Sequence, residues 1–494
     1  MVRIVGPVTR AIPADPILTL GGGAHAAYQY DLDIGKPVMK KRYIALIILA
    51  ISTAGAGAAA YILSPKVHSG QPGEAPELGL LGAYRVGTIV DRFTLNNRSQ
   101  ITLTGAATGA LPVSDRSLSV RIWYPAKVKN KAEPARYSHP MQLPGKEPLT
   151  ITTQGVAIPQ AEPINGKKFP LIIMSHGFGA WSTHYSNLGE HIASHGYVVA
   201  SIDHADQPAA SAPGFLISFA NVLADRAQDQ RQLLDKIIGT AAKAAAVNGE
   251  AGPAGVQYAA IIDTQQIGVI GYSMGGYGAL GAAGAAYDYD SSVFARMPKQ
   301  SADAMKAAAK NPSPIKAIVA IAPWGGAPGN RAWSAASLAK ITQPVLMIAG
   351  NQDDIVNFKD GVQWIFNSLT ASERYMLVYR EARHNVAGNE FTIADNSGFS
   401  TLEFLREPVW RTDRINSINQ HFVTAFLDRY LKGDMSKAAY LNLPVVNSNK
   451  SNWPIGFGEQ LNGKRAGAAE SGHWRGFPRR WAVGLEMHRK AKMR

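Results

Sequence analysis

The 494-residue sequence contains no cysteine. This absence excludes disulfide bonds, thiolate metal sites, a cysteine nucleophile and a lipidated cysteine anchor. It also removes the main sequence evidence for redox compartment, because a chain without disulfides can fold on either side of a membrane. Charged residues make up only 17% of the chain and hydrophobic residues 46%. This composition is typical of a globular protein with a large core and excludes disorder throughout.

The formal net charge of +14 is concentrated near the chain ends. Residues 450–494 hold ten Lys or Arg against three Asp or Glu, which gives +7, and residues 40–42 add +3. The remaining body lacks the pattern of basic and aromatic residues that is typical of a nucleic-acid module, so we expect no nucleic-acid partner. The basic end is interpreted either as a solvated tail or as a segment that faces anionic lipid.

Residues 43–63 form an uncharged stretch directly after the basic triplet 40–42. This pattern predicts export, with the bulk of the chain periplasmic or secreted, or anchored in the inner membrane. Two interpretations stay open, a retained membrane anchor and a signal peptide cleaved at a small-residue site such as 54–56. The segment from Met39 has the features of a complete signal sequence. A buried core helix is the weaker alternative.

The pattern predicts five segments along the chain. The first is an N-terminus that is either disordered or lies upstream of the true translation start (1–38). It is followed by a signal peptide or anchor (39–64), a Gly/Pro-rich linker (65–90), a catalytic domain (91–435) and a basic C-terminal extension (436–494).

Short apolar runs alternate with helical patterns through the catalytic domain. The runs lie at 170–174, 197–202, 267–270, 315–321, 344–349 and 375–379. This alternation predicts an α/β fold with a mostly parallel, doubly wound sheet and helices on both faces. The stretches 286–314 and 386–411 are predicted to be cap insertions.

A G-x-S-x-G motif centres on Ser273, flanked by Gly271 and Gly275. The motif directly follows the apolar run 267–270 and opens a stretch of small residues compatible with a helix. In this context it predicts a sharp strand-to-helix turn that presents the serine hydroxyl as a nucleophile. Glycines are expected at both flanks because strand and helix pass too closely for side chains. The alternative is a Gly-Ser loop without a catalytic role.

The residues His176, Gly177, Phe178 and Gly179 also lie between an apolar run and a helical pattern. In acyl transfer the carbonyl oxygen becomes negative and requires backbone N–H donors that already point at it. The amides of Phe178 and Met274 are the predicted oxyanion hole, and the glycines allow close approach of the substrate. The His176 side chain is interpreted as a brace for the loop.

A serine nucleophile needs a base, and the base needs an acid that orients it. Candidates are expected after Ser273, in the order acid then histidine, at strand ends. His384 follows the last apolar run, whereas His421 lies inside an amphipathic helical pattern. His384 is therefore the predicted base. Asp353 is the predicted acid, and the adjacent Asp354 is the alternative.

Several other residues lie near predicted strand ends. His204 and Asp206 raise a metal hypothesis, but no further ligand with suitable spacing is nearby, so no metal is predicted and His204 is assigned to the pocket mouth. Tyr185, Phe215 and Trp324 are candidates for an acyl pocket, with ordinary core packing as the alternative. No Rossmann or P-loop pattern is present, so no cofactor is predicted.

Five segments carry a resemblance to a known family. They are 123–125 (WYP), 176–179 (HGFG), 195–204 (HGYVVASIDH), 271–275 (GYSMG) and 383–385 (RHN). Across residues 85–435, and again near 474–485, the chain resembles the α/β-hydrolase superfamily. More narrowly, it is similar to the bacterial predicted dienelactone hydrolases, which resemble platelet-activating-factor acetylhydrolase.

The resemblance implies Ser273 as nucleophile, Asp353 as acid and His384 as base, with the Phe178 and Met274 amides as oxyanion hole. True dienelactone hydrolases use a cysteine nucleophile, which this chain lacks, so the expected activity is general ester hydrolysis on short-acyl or lipid-like esters. The segment 271–276 (GYSMGG), which contains the proposed nucleophile, is also similar to the corresponding turn of cutinases and polyester hydrolases. Peptidase, acyltransferase and polyester hydrolase activity remain alternatives, as does an inactive, membrane-tethered binding protein.

Overall fold

The computed structural model describes residues 74–128, 132–141, 149–206, 211–246, 257–309, 313–391, 398–452, 472–478 and 481–493. All of them lie in one unit, which the internal contacts delimit as residues 68–494. The predicted N-terminus 1–38 and the signal or anchor segment 39–64, including the apolar stretch 43–63, lie outside these ranges. Among the helices within them, none is long and apolar enough to cross a membrane.

The strands form the sheet at the centre of the fold. They are β1 (Val86–Ser99), β2 (Val113–Lys127), β3 (Arg136–Met141), β4 (Leu149–Gln154), β5 (Ile158–Pro159), β6 (Glu162–Pro163), β7 (Phe169–Ser175), β8 (Val198–Asp203), β9 (Ile262–Tyr272), β10 (Ala317–Ile321), β11 (Val345–Gly350), β12 (Arg374–Tyr379) and β13 (Leu485–Lys490). Apart from the separate β3–β4 hairpin, the described strands form one sheet in the order β13-β12-β11-β10-β9-β7-β8-β2-β1-β5, with β6 paired to β2.

The centre of the sheet, from β8 to β12, is parallel, and antiparallel strands flank it on both sides. Strands β7, β10, β11 and β12 are buried at every residue. Such complete burial requires cover on both faces, which explains why these strands are continuous apolar runs in the sequence. The predicted α/β class with a mostly parallel sheet is confirmed.

The helices supply that cover. They are α1 (Leu103–Thr108), α2 (Ser186–Ser194), α3 (Ala212–Ala246), α4 (Met274–Ala283), α5 (Lys299–Ala309), α6 (Ala335–Leu338), α7 (Gln363–Ser368), α8 (Phe399–Leu405), α9 (Thr412–Leu431) and α10 (Ala438–Leu441). Helix α9 packs against α2, β9 and β10, whereas α3 packs against α4, which contacts β7, β9 and β10.

The chain order of the central strands creates a switch point. From β7 the chain crosses to β8 on one side and then returns to β9 on the other side of β7. In open α/β sheets, the crevice at the carboxyl ends of strands beside such a reversal is where ligands bind. The loop after β7 and the turn after β9 are therefore brought together at this edge.

Two predicted domain boundaries differ from the structure. Within the predicted linker 65–90, Leu78 is buried and its N–H donates to Nδ1 of His421 at 3.1 Å, and β1 already begins at Val86. Within the predicted basic extension 436–494, β13 pairs antiparallel with β12 and completes the sheet edge. Leu485 and Met487 alternate with polar residues, a period-two pattern that the surrounding basic residues obscure.

Candidate active site

Ser273 occupies the turn between β9 and α4 with φ 53° and ψ −116°. This positive φ is strained for a residue with a side chain and is typical of a nucleophile elbow. A Cβ at Gly271 would lie 2.1 Å from the Gly275 carbonyl oxygen, and a Cβ at Gly275 would lie 2.1 Å from the Ser175 carbonyl oxygen. Both flanking positions therefore require glycine, for the reason that the sequence suggested.

Three side chains from three separate loops meet at the elbow. Nε2 of His384 lies 3.1 Å from Oγ of Ser273, and Nδ1 of His384 lies 2.8 Å from Oδ2 of Asp353. Asp353 follows β11 and His384 follows β12, at the same edge of the sheet as the elbow. The spacing is that of a nucleophile, a base and an orienting acid.

The neighbouring aspartates 353 and 354 lie in different surroundings. The Asp353 side chain is completely enclosed, and its Oδ1 accepts the N–H groups of Ile355 and Val356 at 3.0 and 3.1 Å. The Asp354 side chain is 55% exposed and pairs with Arg383, which lowers the pKa of the Asp354 carboxyl. Only Asp353 reaches the imidazole, because its loop turns that carboxylate inward.

Tyr272 contacts the proposed base, His384, through both its hydroxyl and its ring, a contact that the sequence analysis missed. Its hydroxyl donates to the His384 carbonyl oxygen at 3.0 Å, and the two rings lie 5.1 Å apart. Burial raises the pKa of the Tyr272 hydroxyl well above its ordinary value, so the group remains a donor at neutral pH. Tyr272 occupies the first variable position of the G-x-S-x-G motif, so the motif does not predict this contact.

The loop after β7 lies directly against the elbow. A Cβ at Gly177 would lie 3.4 Å from the Ser273 Cβ and 2.9 Å from the Tyr272 ring. Gly179 has φ +69°, and its N–H donates to Asp206 at 3.1 Å. Within the described part of the chain, neither the Phe178 nor the Met274 amide donates to another protein group. Met274 is the first residue of α4, where such N–H groups lack partners within the helix.

His176 braces this loop as the sequence suggested. Its Nδ1 donates to the Gly177 carbonyl oxygen at 2.7 Å, and its Nε2 accepts the His204 N–H at 3.1 Å. These two partners fix the neutral tautomer with the proton on Nδ1. Burial, followed by the charge of Arg226, lowers the pKa of His176 to about 3, so the ring stays neutral.

A cavity of about 840 Å³ opens above Ser273 and His384. Phe178 and Tyr185 contribute one wall, and α8 with its flanks contributes another. Described residues of the predicted cap stretch 386–411 thus line the cavity. The other predicted cap, 286–314, does not, because α5 packs against α3 and no described residue of that stretch reaches the cavity.

Only one of the four predicted pocket residues, Tyr185, lines this cavity. Phe215 is 43% exposed and contacts the Phe178 ring edge-on at 5.5 Å. The Trp324 side chain lies in the core, and its backbone N–H donates to the Ser273 carbonyl oxygen at 3.1 Å. His204 lies below the loop and bonds to Ser175 and Asp229, each at 2.8 Å. Phe215 thus lies in α3 and not at a strand end, and none of these three residues lines the cavity above Ser273.

The structure does not favour the metal hypothesis for His204 and Asp206, because both side chains already bond to other protein groups. Asp206 forms an ion pair with Arg226, and His204 bonds to Ser175 and Asp229. Across the described ranges, no group of three or more His, Asp or Glu side chains is arranged to hold a metal ion.

His184 is a cavity residue that the sequence analysis did not single out. It lines the same cavity and contacts Trp181, Tyr185 and Phe391 through its ring. Burial lowers the pKa of His184 to about 3, so it presents a neutral imidazole. Its place on a loop just before α2 carried no motif that could have revealed it.

A mostly parallel sheet with a serine on a strand-to-helix elbow, followed in chain order by an acid and a histidine at strand ends, defines the α/β-hydrolase fold. Comparisons with known families agree. Residues 150–233 match the family model of platelet-activating factor acetylhydrolase, isoform II, and residues 301–403 match that of PET hydrolase-like proteins.

Individual relatives match over a short segment. The chain is 52% identical to platelet-activating factor acetylhydrolase of Cavia porcellus and 54% identical to that of Bos taurus, each over 46 residues. These alignments cover 9% of this chain and only 11% and 10% of the relatives. With the fold, they confirm the predicted resemblance to the platelet-activating-factor-acetylhydrolase-like group of the α/β-hydrolase superfamily. Both matching families are named for hydrolases.

Proposed function

We propose that the protein hydrolyses carboxylic esters through an acyl-enzyme on Ser273, with His384 as base and Asp353 as the acid that orients it. The observation that carries this proposal is a continuous chain of hydrogen bonds from the enclosed Asp353 carboxylate through the His384 imidazole to Oγ of Ser273. Ser273 and His384 both line the cavity. Because Nδ1 of His384 donates to Asp353, Nε2 is the nitrogen that is free to accept the serine proton.

In the first step, Oγ of Ser273 forms a bond to the ester carbonyl carbon while its proton passes to Nε2 of His384. The buried Asp353 carboxylate stabilises the imidazolium that results. The carbonyl oxygen becomes an oxyanion, which accepts hydrogen bonds from the Phe178 and Met274 amides. Each such donor contributes about 10²–10³ in rate.

The tetrahedral intermediate then collapses. The bond to the alcohol oxygen breaks, the leaving alcohol takes the proton from His384, and the acyl group remains on Ser273. A water molecule, deprotonated by His384, attacks the acyl carbon, and release of the carboxylic acid restores the serine. His384 mediates every proton transfer in this sequence, while the Asp353 carboxylate stays ionised and orients the imidazole.

The proposed substrates are short-acyl or lipid-like esters, because the cavity combines the polar relay with an apolar wall from α8. Phe399 and Leu402 lie on this wall and are 77% and 36% exposed. The match to PET hydrolase-like proteins favours a second candidate, a polyester chain lying across the same opening. Both candidates use the same triad.

The test is a panel of p-nitrophenyl acetate, butyrate, octanoate and palmitate with the full chain and its Ser273→Ala variant. The proposal predicts turnover that disappears in the variant while the melting temperature stays close to that of the wild type. The acyl-length profile distinguishes a short-acyl from a lipid-like site. A folded wild-type protein that hydrolyses none of these esters would contradict the proposal.

A further inference from the structure

A buried ion pair holds the loop that carries the proposed oxyanion donor. Arg226 on α3 is completely buried, and its Nη2 donates to the Gly177 carbonyl oxygen at 3.1 Å. The same guanidinium pairs with Asp206, whose Oδ2 accepts the Gly179 N–H at 3.1 Å. The pair therefore contacts the chain on both sides of Phe178.

The Gly177 carbonyl and the Phe178 N–H belong to one planar peptide group. In a trans peptide, C=O and N–H point in opposite directions. Arg226 and Nδ1 of His176 both donate to this carbonyl, at 3.1 and 2.7 Å. The Phe178 N–H is thereby directed away from these two donors, and Gly177 and Phe178 both line the cavity beside Ser273.

The charge on Arg226 also strengthens that N–H as a donor. A hydrogen bond from a charged group to a peptide oxygen polarises the peptide, and polarisation is strongest where water is excluded. Burial lowers the pKa of Arg226 while Asp206 and Asp229 oppose that change, and a guanidinium stays protonated throughout.

The donors of Arg226 are not fully used. Its Nε and Nη1 are buried without a hydrogen-bond partner. Both hydrogen bonds of the guanidinium, to the Gly177 carbonyl oxygen and to Asp206, come from Nη2. One nitrogen of Arg226 therefore links the anchor carboxylate to the peptide group before Phe178.

We propose that Arg226, anchored by Asp206, is a positioning residue that orients and polarises the Gly177–Phe178 peptide as an oxyanion donor. The inference rests on the proposed ester hydrolysis. Because the contact acts on the transition state, its loss should lower kcat and leave KM nearly unchanged.

The experiment compares Arg226→Met with Arg98→Met in the full chain. Arg98 is also buried and forms ion pairs with Asp225 and Asp229, but it does not contact the loop after β7. We expect both variants to lower the melting temperature, but only Arg226→Met to lower kcat, by about 10- to 100-fold. Arg226→Lys keeps the charge and should recover part of the loss.

A second readout is the inhibition constant of a trifluoromethyl ketone, which forms a tetrahedral adduct with the serine. It should rise in Arg226→Met by the same factor as kcat falls, and stay near the wild-type value in Arg98→Met. If Arg226→Met does not fold, Asp206→Asn removes the anchor charge and should lower kcat in the same direction.

Three outcomes overturn the inference. Equal kcat losses in the Arg226 and Arg98 variants would assign Arg226 a purely structural role, and an unchanged kcat in Arg226→Met or Asp206→Asn would remove the role altogether. In both cases wild-type turnover that depends on Ser273 leaves the proposed function intact. A wild type without any ester turnover rejects the proposed function and this inference together.

Discussion

The Asp353 carboxylate lies 2.8 Å from Nδ1 of His384 and is fully enclosed, whereas the carboxylate of its neighbour Asp354 is half-exposed and faces Arg383. One position in the chain thus separates a buried partner of the imidazole from a surface ion pair. The difference makes the acid assignment directly testable.

Asp353→Asn should reduce kcat by about 10³- to 10⁴-fold, because an amide cannot hold the imidazole in the correct tautomer or stabilise its charge. The matched variant Asp354→Asn removes only an exposed ion pair and should stay close to wild type. Steady-state kinetics on p-nitrophenyl butyrate measures both. The reverse ranking would transfer the role to Asp354.

The α8 wall should control acyl length. Phe404→Ala removes a ring that lines the cavity and is 40% exposed. We expect kcat/KM for octanoate to fall about three- to tenfold, as less apolar surface covers the chain, while acetate turnover stays unchanged. Val113→Ala, which trims a 53% exposed side chain on β2 away from the cavity, is the control. Equal effects on both esters would mean that α8 does not contact the acyl chain.

Glycine spacing at the elbow should be essential. Gly275→Ala places a Cβ 2.1 Å from the Ser175 carbonyl oxygen, so the backbone must shift, and activity and melting temperature should both fall. Gly239→Ala, inside α3 with no atom from outside its own stretch of helix backbone within 4 Å of the new Cβ, should instead stabilise the protein by about 0.5–1 kcal/mol. Denaturant unfolding measures both variants. A fully active Gly275→Ala would refute the close strand-to-helix packing.

The parts that the sequence predicted are those with short-range patterns. The elbow at Ser273 follows from motif spacing, and the parallel strands follow from apolar runs that alternate with helices. The choice between Asp353 and Asp354 depends on a loop turn that spacing does not encode. Trp324 follows the end of β10, whereas Phe215 lies in α3, and the direction of each side chain depends on packing with distant parts of the chain.

The pairing of strands that are distant in the chain also could not be predicted from the sequence. Strand β13 joins β12 across about a hundred residues, and nothing local indicates its partner. The Tyr272 and Arg226 contacts depend on the same kind of tertiary proximity. Export through residues 43–63 stays a prediction of the sequence, since that segment lies outside the described residues.

Acid should destabilise the protein through buried histidines such as His421. Burial lowers the pKa of His421 from 6.5 to about 3. Between these values the unfolded chain binds a proton that the folded chain does not, so stability falls as pH decreases below 6.5. His421→Gln keeps an acceptor for the Leu78 N–H and should reduce this slope by up to about 1.4 kcal/mol per pH unit.

The measurement is the free energy of unfolding between pH 7 and pH 4. Phe477→Leu is the control, because Phe477 packs against the His421 ring at 5.1 Å and has no group that titrates. It should shift stability by a constant amount. If His421→Gln gave a curve parallel to that of the wild type, the ring would not be buried as a neutral group.

The central claim is that Ser273 is a nucleophile activated by His384. The most direct measurement is intact-mass spectrometry with peptide mapping after brief exposure of the full chain to a fluorophosphonate. The account predicts one adduct, on the peptide that contains Ser273, absent in Ser273→Ala and formed far more slowly in His384→Ala. A folded protein that forms no adduct, or carries it on another residue, would contradict the account.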